Sequence, residues 1–204
     1  MKKRKISGSA LFMYIVIFVT LLTCAICFSL YYGGKTENGA VLWSGVTAFM
    51  IVYHFWGRII LGNVTKLFEI NQNHWWFKEK KFEKGLYKLL SVEKWKDKAL
   101  TYNPEAFSLK AHSLSDIAAV MTKSEVDHWV NEVISLVSIL FSLVWGEAWI
   151  FAITAVFAML FDAQFIIIQR YNRPRVLRLI EKKSLRAKKK TSESPSKIQS
   201  EVFL

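Results

Sequence analysis

Residues 10–32 read ALFMYIVIFVTLLTCAICFSLYY, a run that contains no charge. About 20 predominantly apolar residues carry a helix across a hydrocarbon core, so this stretch predicts a membrane span. The basic residues ahead of it, Lys2, Lys3, Arg4 and Lys5, also suit the start of a cleaved signal. The run is longer than a signal's apolar core and shows no convincing small-x-small cleavage site, which favours a retained helix.

Three further spans follow from the same criterion. The second covers about residues 40–61, AVLWSGVTAFMIVYHFWGRIIL, with His54 and Arg58 in its last third. The third covers about 129–145 and the fourth about 148–168, with only Gly146 and Glu147 between them. Those two are expected to form a tight helical hairpin. Lipid offers no partner to backbone N–H and C=O groups, so helices are the state expected here. The expected fold class is an all-α membrane protein with four transmembrane helices and a cytoplasmic aromatic and basic interfacial region. Along the chain this gives a basic N-terminus (1–9), a first transmembrane hairpin (10–62), an interfacial amphipathic region (63–128), a second hairpin (129–169), a basic juxtamembrane segment (170–187) and a disordered, Ser-rich tail (188–204).

Orientation follows from the basic residues. Residues 63–128 carry eleven lysines, and the chain from Arg170 onward carries eleven Lys and Arg. The two short connections on the other side hold only Lys35, against Glu37 and Glu147. Both termini are therefore expected in the cytoplasm, in a multi-pass arrangement in a cell membrane, taken as bacterial. The net charge of +12 and the pI near 9.7 are read as topology plus attraction to anionic membrane lipids. No nucleic-acid module accompanies them, so no nucleic-acid partner is expected. Cys24 and Cys27 form CAIC inside the first span, without a second pair, and are read as small packing residues. Oligomeric state stays open.

The inner region is too short for a sizeable core yet rich in aromatics. Residues 75–90, WWFKEKKFEKGLYKLL, place Trp75, Phe82, Leu86, Leu89 and Leu90 at roughly helical spacing with lysines elsewhere. This predicts an interfacial amphipathic helix, weakened by Gly85. Asn103 and Pro104 resemble an N-cap and a first-turn proline. Thr122 and Glu125 have the spacing of a capping box opening the third span.

The segment SEVDHWVNEV, residues 124–133, concentrates functional groups. Glu125 and His128 are three apart and share a helical face, with Asn131 and Glu132 following. A histidine beside a carboxylate can act as a general base, the carboxylate holding one ring nitrogen while the other accepts a proton. The plain alternative is a capping glutamate beside an interfacial histidine. His74 suits an interface anchor, with a catalytic role as the other reading, His112 an exposed loop, and His54 with Arg58 either a polar cavity or snorkelling. The histidines lack a ligand-spaced set, so no metal is expected. No GxSxG, Walker or GxGxxG motif is present. Asp162, inside the fourth span, has no explanation in the local pattern beyond a pairing with His54 or Arg58. In VEKWKDKAL, residues 92–100, lysines flank Trp95, which fits a solvated basic face or a phosphate clamp.

Three elements stand in order: KWKDK at 94–98, EVDHW at 125–129 and QRYNRPR at 169–175. Together, with the aromatic stretch upstream, they resemble the glycosyl-4,4'-diaponeurosporenoate acyltransferase family, enzymes that finish staphyloxanthin-type carotenoids. The resemblance covers roughly residues 70–180. It implies transfer of a fatty acyl group to a sugar hydroxyl of a glycosylated membrane lipid. It places Glu125 and His128 at acid-base positions, Lys94, Trp95 and Lys96 in the basic element, and Arg170, Asn172, Arg173 and Arg175 in the terminal motif. Just ahead of E-x-x-H the family often carries a second glutamate and a basic residue, where this chain reads VMTKS.

The expected function is a membrane O-acyltransferase with His128 as base, Glu125 orienting it, and Asn131 beside them. The lysine-rich shelf and terminal arginines would bind an acyl-CoA or acyl carrier protein donor, or steady the oxyanion. The acceptor would be a hydroxyl of a lipid or glycolipid. No bound cofactor is expected. A non-enzymatic membrane scaffold and a small transporter are the other readings.

Overall fold

The computed structural model describes residues 8–99 and 104–201 of the chain. Four long helices dominate: α1 (Gly8–Tyr32), α2 (Gly39–Val64), α5 (Leu114–Val137) and α7 (Ala148–Glu201). Short helices α3 (Glu83–Leu89), α4 (Val92–Trp95) and α6 (Ser142–Trp145) lie between them. No strand occurs among the described residues. Among the described residues, four helical stretches are long and apolar enough to cross a membrane: Ala10–Tyr32, Gly39–Val64, Leu114–Trp145 and Ala148–Lys189. Leu11, Phe12, Phe18 and Leu22 of α1 are exposed, the arrangement suited to a lipid-facing helix rather than to water.

Helix α1 packs along α2, and α5 packs along α7. At Gly45 the first pair approaches so closely that a Cβ would lie 2.8 Å from the Phe28 ring, the small-residue contact common between membrane helices. Helix α2 joins the second pair through α5. Tyr53 donates to the Ile134 carbonyl at 3.1 Å. Lys123 reaches both Asp127 (2.8 Å) and Thr65 (2.7 Å), and Thr65 also bonds Asp127. Helices α2 and α7 meet at the end away from the lysines, where Val46, Met50 and Phe151 are buried under Trp43, Phe49, Phe141 and Trp145.

Local chemistry sets the element boundaries, and several differ from the sequence expectation. Helix α5 starts at Leu114, well before residue 129. Its capping box is Ser113 with Asp116: Ser113 Oγ accepts from the Asp116 N–H at 3.2 Å, and Asp116 accepts from the Ser113 N–H at 3.1 Å. Thr122 is instead an interior residue donating to the Ala118 carbonyl. The hairpin at Gly146 and Glu147 forms as expected, with both residues at positive φ.

The amphipathic helix expected over 75–90 is broken. Trp75–Phe77 makes a single 3-10 turn, and α3 begins only at Glu83. The reason lies in where the carbonyls point. Those of Trp75, Trp76 and Phe77 accept from Lys80, Arg170 and Arg173, so a continuous helix has lost its acceptors there. Helix α7 runs through Pro174 and on to Glu201, past the span end expected near residue 168 and into the segment read as a disordered tail. A proline costs a helix one N–H bond, and the neighbouring Arg173 is held from both sides by buried partners. Of the Asn103–Pro104 cap, Asn103 lies outside the described residues, and Pro104 opens a 3-10 turn.

Candidate active site

Two buried polar networks sit on the face that α5 turns to α7. The first lies at the basic end. Glu125 is 0% exposed and accepts from Arg170 at 2.7 Å and from Arg173 at 2.5 Å. Arg170 extends to Glu83 on α3 through two bonds, 2.9 and 2.6 Å, and to the Trp76 carbonyl at 3.1 Å. Arg173, 1% exposed, donates to the Phe77 carbonyl and lies over the Phe77 ring. Tyr87 closes the network by donating to Glu83 at 2.9 Å. Burial pushes the Tyr87 hydroxyl above the ordinary phenol range, and the bond to Glu83 adds to the rise, so this group stays a neutral donor. Two carboxylates face two guanidinium groups, and the charges cancel in a place where an unpaired one would be costly.

The second network lies deeper along the same helices. Asp162, 0% exposed, has three partners on two other helices, α5 and α2. Its Oδ1 is 2.7 Å from His128 Nδ1 and 3.0 Å from Asn131 Nδ2. Its Oδ2 pairs with Arg58 of α2. The imidazole of His128 stacks on Phe165 at 4.7 Å between centroids and 11° between planes. A carboxylate at Nδ1 selects the tautomer with the proton on that atom and leaves Nε2 as the acceptor. Ring stacking fixes the remaining rotation.

The orienting role expected for Glu125 therefore passes to Asp162. Glu125 and His128 do share a face of α5, but spacing along one helix does not say what stands opposite. Opposite Glu125 stand Arg170 and Arg173; opposite His128 stands Asp162. Asn131 joins His128 through the same acid, as its place in the motif suggested. The pairing of Asp162 with Arg58, read as a possibility from sequence, is present, and the link to His128 was missed. Its available signal was a lone acid in an apolar span. Glu83 and Glu93 carried no such signal.

The basic element and the terminal motif come together. Tyr171 donates to Glu93, and Arg175 bonds the Tyr171 hydroxyl at 2.5 Å while approaching Glu93 at 3.5 Å. Trp95 donates to the Leu90 carbonyl at 2.9 Å, and Lys96 pairs with Asp97 at 3.1 Å. Lys94 is exposed and Asn172 half-buried. The arginines expected to meet a donor's phosphates thus divide by burial. Arg173 has its guanidinium committed inside the protein, and Arg170 nearly so. Arg175 is half exposed, and Lys78, Lys81, Lys84, Lys88, Lys94 and Lys98 are exposed as well.

His74 caps the turn at Trp75, its Nδ1 accepting from the Trp76 N–H at 3.3 Å. His112 is exposed. The exposed position of His112 is the one its loop context suggested, while the turn cap made by His74 is a contact that its reading as an interface anchor did not specify. His54 is a different case: it is buried, and neither ring nitrogen has a hydrogen-bond partner among the described residues.

No curated protein and no solved structure matches the chain. The pattern of one family, glycosyl-4,4'-diaponeurosporenoate acyltransferase, matches residues 73–182, more than half of the chain. The matched region holds both networks' α5 and α7 residues, together with Glu83 and Glu93. The chain therefore belongs to the glycosyl-4,4'-diaponeurosporenoate acyltransferase family, a family of acyltransferases of the carotenoid pathway.

Proposed function

We propose that this acyltransferase is an integral membrane enzyme working at the cytoplasmic face of a cell membrane, with both termini inside. It moves a fatty acyl group from acyl-CoA or acyl carrier protein to a hydroxyl of a glycosylated lipid, with a glycosyl carotenoid as the acceptor class. The observation that carries this reading is the His128–Asp162 pair, with Nε2 left as the proton acceptor.

The acceptor hydroxyl attacks the thioester carbonyl carbon while His128 Nε2 takes its proton. The C–O bond forms, the C–S bond breaks, and the thiolate leaves with the proton returned by the imidazolium. Asp162 positions the ring and balances its transient charge. The exposed lysines and Arg175 supply charge for a phosphate-bearing donor. Lys94, Trp95, Lys96 and Asn172 belong to that docking side, and Arg170 and Arg173 hold it together from beneath.

Membranes containing the His128→Ala protein, given a labelled long-chain acyl-CoA and a glycolipid extract, should lose at least about 100-fold in transfer rate, the usual contribution of a positioned base. Transfer at the unsubstituted rate would remove His128 from the mechanism.

A further inference from the structure

A cleft of about 370 Å³ runs between α2 and α7. Trp43, Val46 and Phe151 close one end, while Thr47, Ile51, Phe55, Thr154, Phe157 and Ala158 form its sides. His54 and Arg58 stand at the other end, the two ionisable residues in a lining that is otherwise apolar apart from Thr47 and Thr154. From Trp43 to Arg58 the helix advances about 22 Å at 1.5 Å per residue. That length suits one extended fatty chain.

The inner end carries unused hydrogen-bonding capacity. His54 is 9% exposed, and neither of its ring nitrogens has a partner among the described residues. The Nε of Arg58 is likewise buried without one. A histidine has at least one ring N–H and a guanidinium Nε–H is always a donor. Buried donors left unbonded cost free energy that an acceptor oxygen would recover. Arg58 is also the residue that pairs with Asp162, so whatever oxygen sits here lies one side chain from the acid that holds His128.

The geometry points to this cleft as the site for the acyl chain of the donor, its carbonyl oxygen at His54 and Arg58 and its methyl end towards Trp43 and Phe151. The assignment rests on the acyltransferase reading and adds where the chain lies. A bulk membrane lipid would not need the two polar groups, because its ester carbonyls stay at the headgroup level.

The test uses the full chain in nanodiscs and long-chain acyl-CoA probes with a diazirine at the ω end or near the carbonyl. Crosslinks from the ω probe should fall on Val46, Thr47 and Phe151. Those from the second probe should move to Ile51, Phe55 and Ala158. Ala158→Trp fills the cleft and should cut labelling about tenfold, as a modest overpacking term does. Val156→Trp, on the exposed side of the same helix, should leave labelling intact and reports on folding. Crosslinks confined to lipid-facing Phe12, Phe18 and Leu143, or unmoved by the diazirine's position, would overturn the assignment. So would equal labelling of the cleft by a diazirine phosphatidylcholine. Acyl transfer is measured on the same samples. Transfer without cleft labelling sinks the cleft alone, and cleft labelling without transfer sinks only the proposed reaction.

Discussion

At the scale of single residues, the buried acids Asp162 and Glu125 do different work. Asp162 holds an imidazole, an amide and a guanidinium. Asp162→Asn keeps the volume but removes the charge, and its NH2 can turn towards His128 Nδ1, favouring the wrong tautomer. The rate of acyl transfer should fall by at least about 100-fold, with the KM for the acyl donor little changed. An unchanged rate would show that the ring's orientation is irrelevant. Glu125 instead balances Arg170 and Arg173. Glu125→Gln leaves two buried cations short of a counter-charge, which costs about 3–5 kcal/mol when a buried pair is broken. The thermal midpoint of the detergent-solubilised protein should drop sharply, and Arg173→Lys should also lower it, because an ammonium cannot span Glu125 and the Phe77 carbonyl as the fork does. A midpoint unchanged in both would place the network outside the folded core. Sequence spacing found Glu125 and His128 together because i and i+3 share a face. It could not divide them, since their partners lie 34 to 48 positions away along the chain.

Among elements, the spans were legible because lipid imposes a simple rule on length and polarity. Their ends were less so. Ser113-x-x-Asp116 and Thr122-x-x-Glu125 both have capping-box spacing, and the structure uses the first. The second is deep in a helix, where its glutamate serves α7. The stretch 75–90 has helical periodicity, yet the carbonyls of Trp76 and Phe77 are taken by arginines of α7, and no local pattern carries that information. Close packing gives a check at this scale. A side chain at Gly45 meets Phe28 and Cys27, whereas one at Gly62 meets nothing within 4 Å. Gly45→Leu should force α1 from α2 and lower the thermal midpoint by an overpacking cost of about 1–3 kcal/mol or more. Gly62→Leu should leave it unchanged. Equal behaviour of the two variants would mean that α1 does not pack on α2 through this contact.

For the whole molecule, the proposed orientation rests on charge alone and can be read directly. In a chain lacking Cys24 and Cys27, a cysteine at Lys35 should react with an impermeant maleimide added to intact cells. A cysteine at Lys94 should react only after the membrane is opened. The reverse result would invert the topology and move the lysine shelf to the other face. The family match begins at residue 73, so α1 and α2 lie outside the matched part. They are nonetheless tied in through Tyr53, Arg58 and Thr65. Arg58 makes α2 part of the candidate site.

The arginine–glutamate network also bears on the order in which the chain is made. Glu125 leaves the ribosome about 45 residues before Arg170. At a few residues per second, seconds pass during which α5 carries an acid with no counter-ion. During that interval the newborn helix is a poor fit to lipid, and α7 completes it on arrival. A transcript cut short before residue 170 should therefore yield a chain that the cell's membrane proteases remove, whereas one cut after residue 175 should persist.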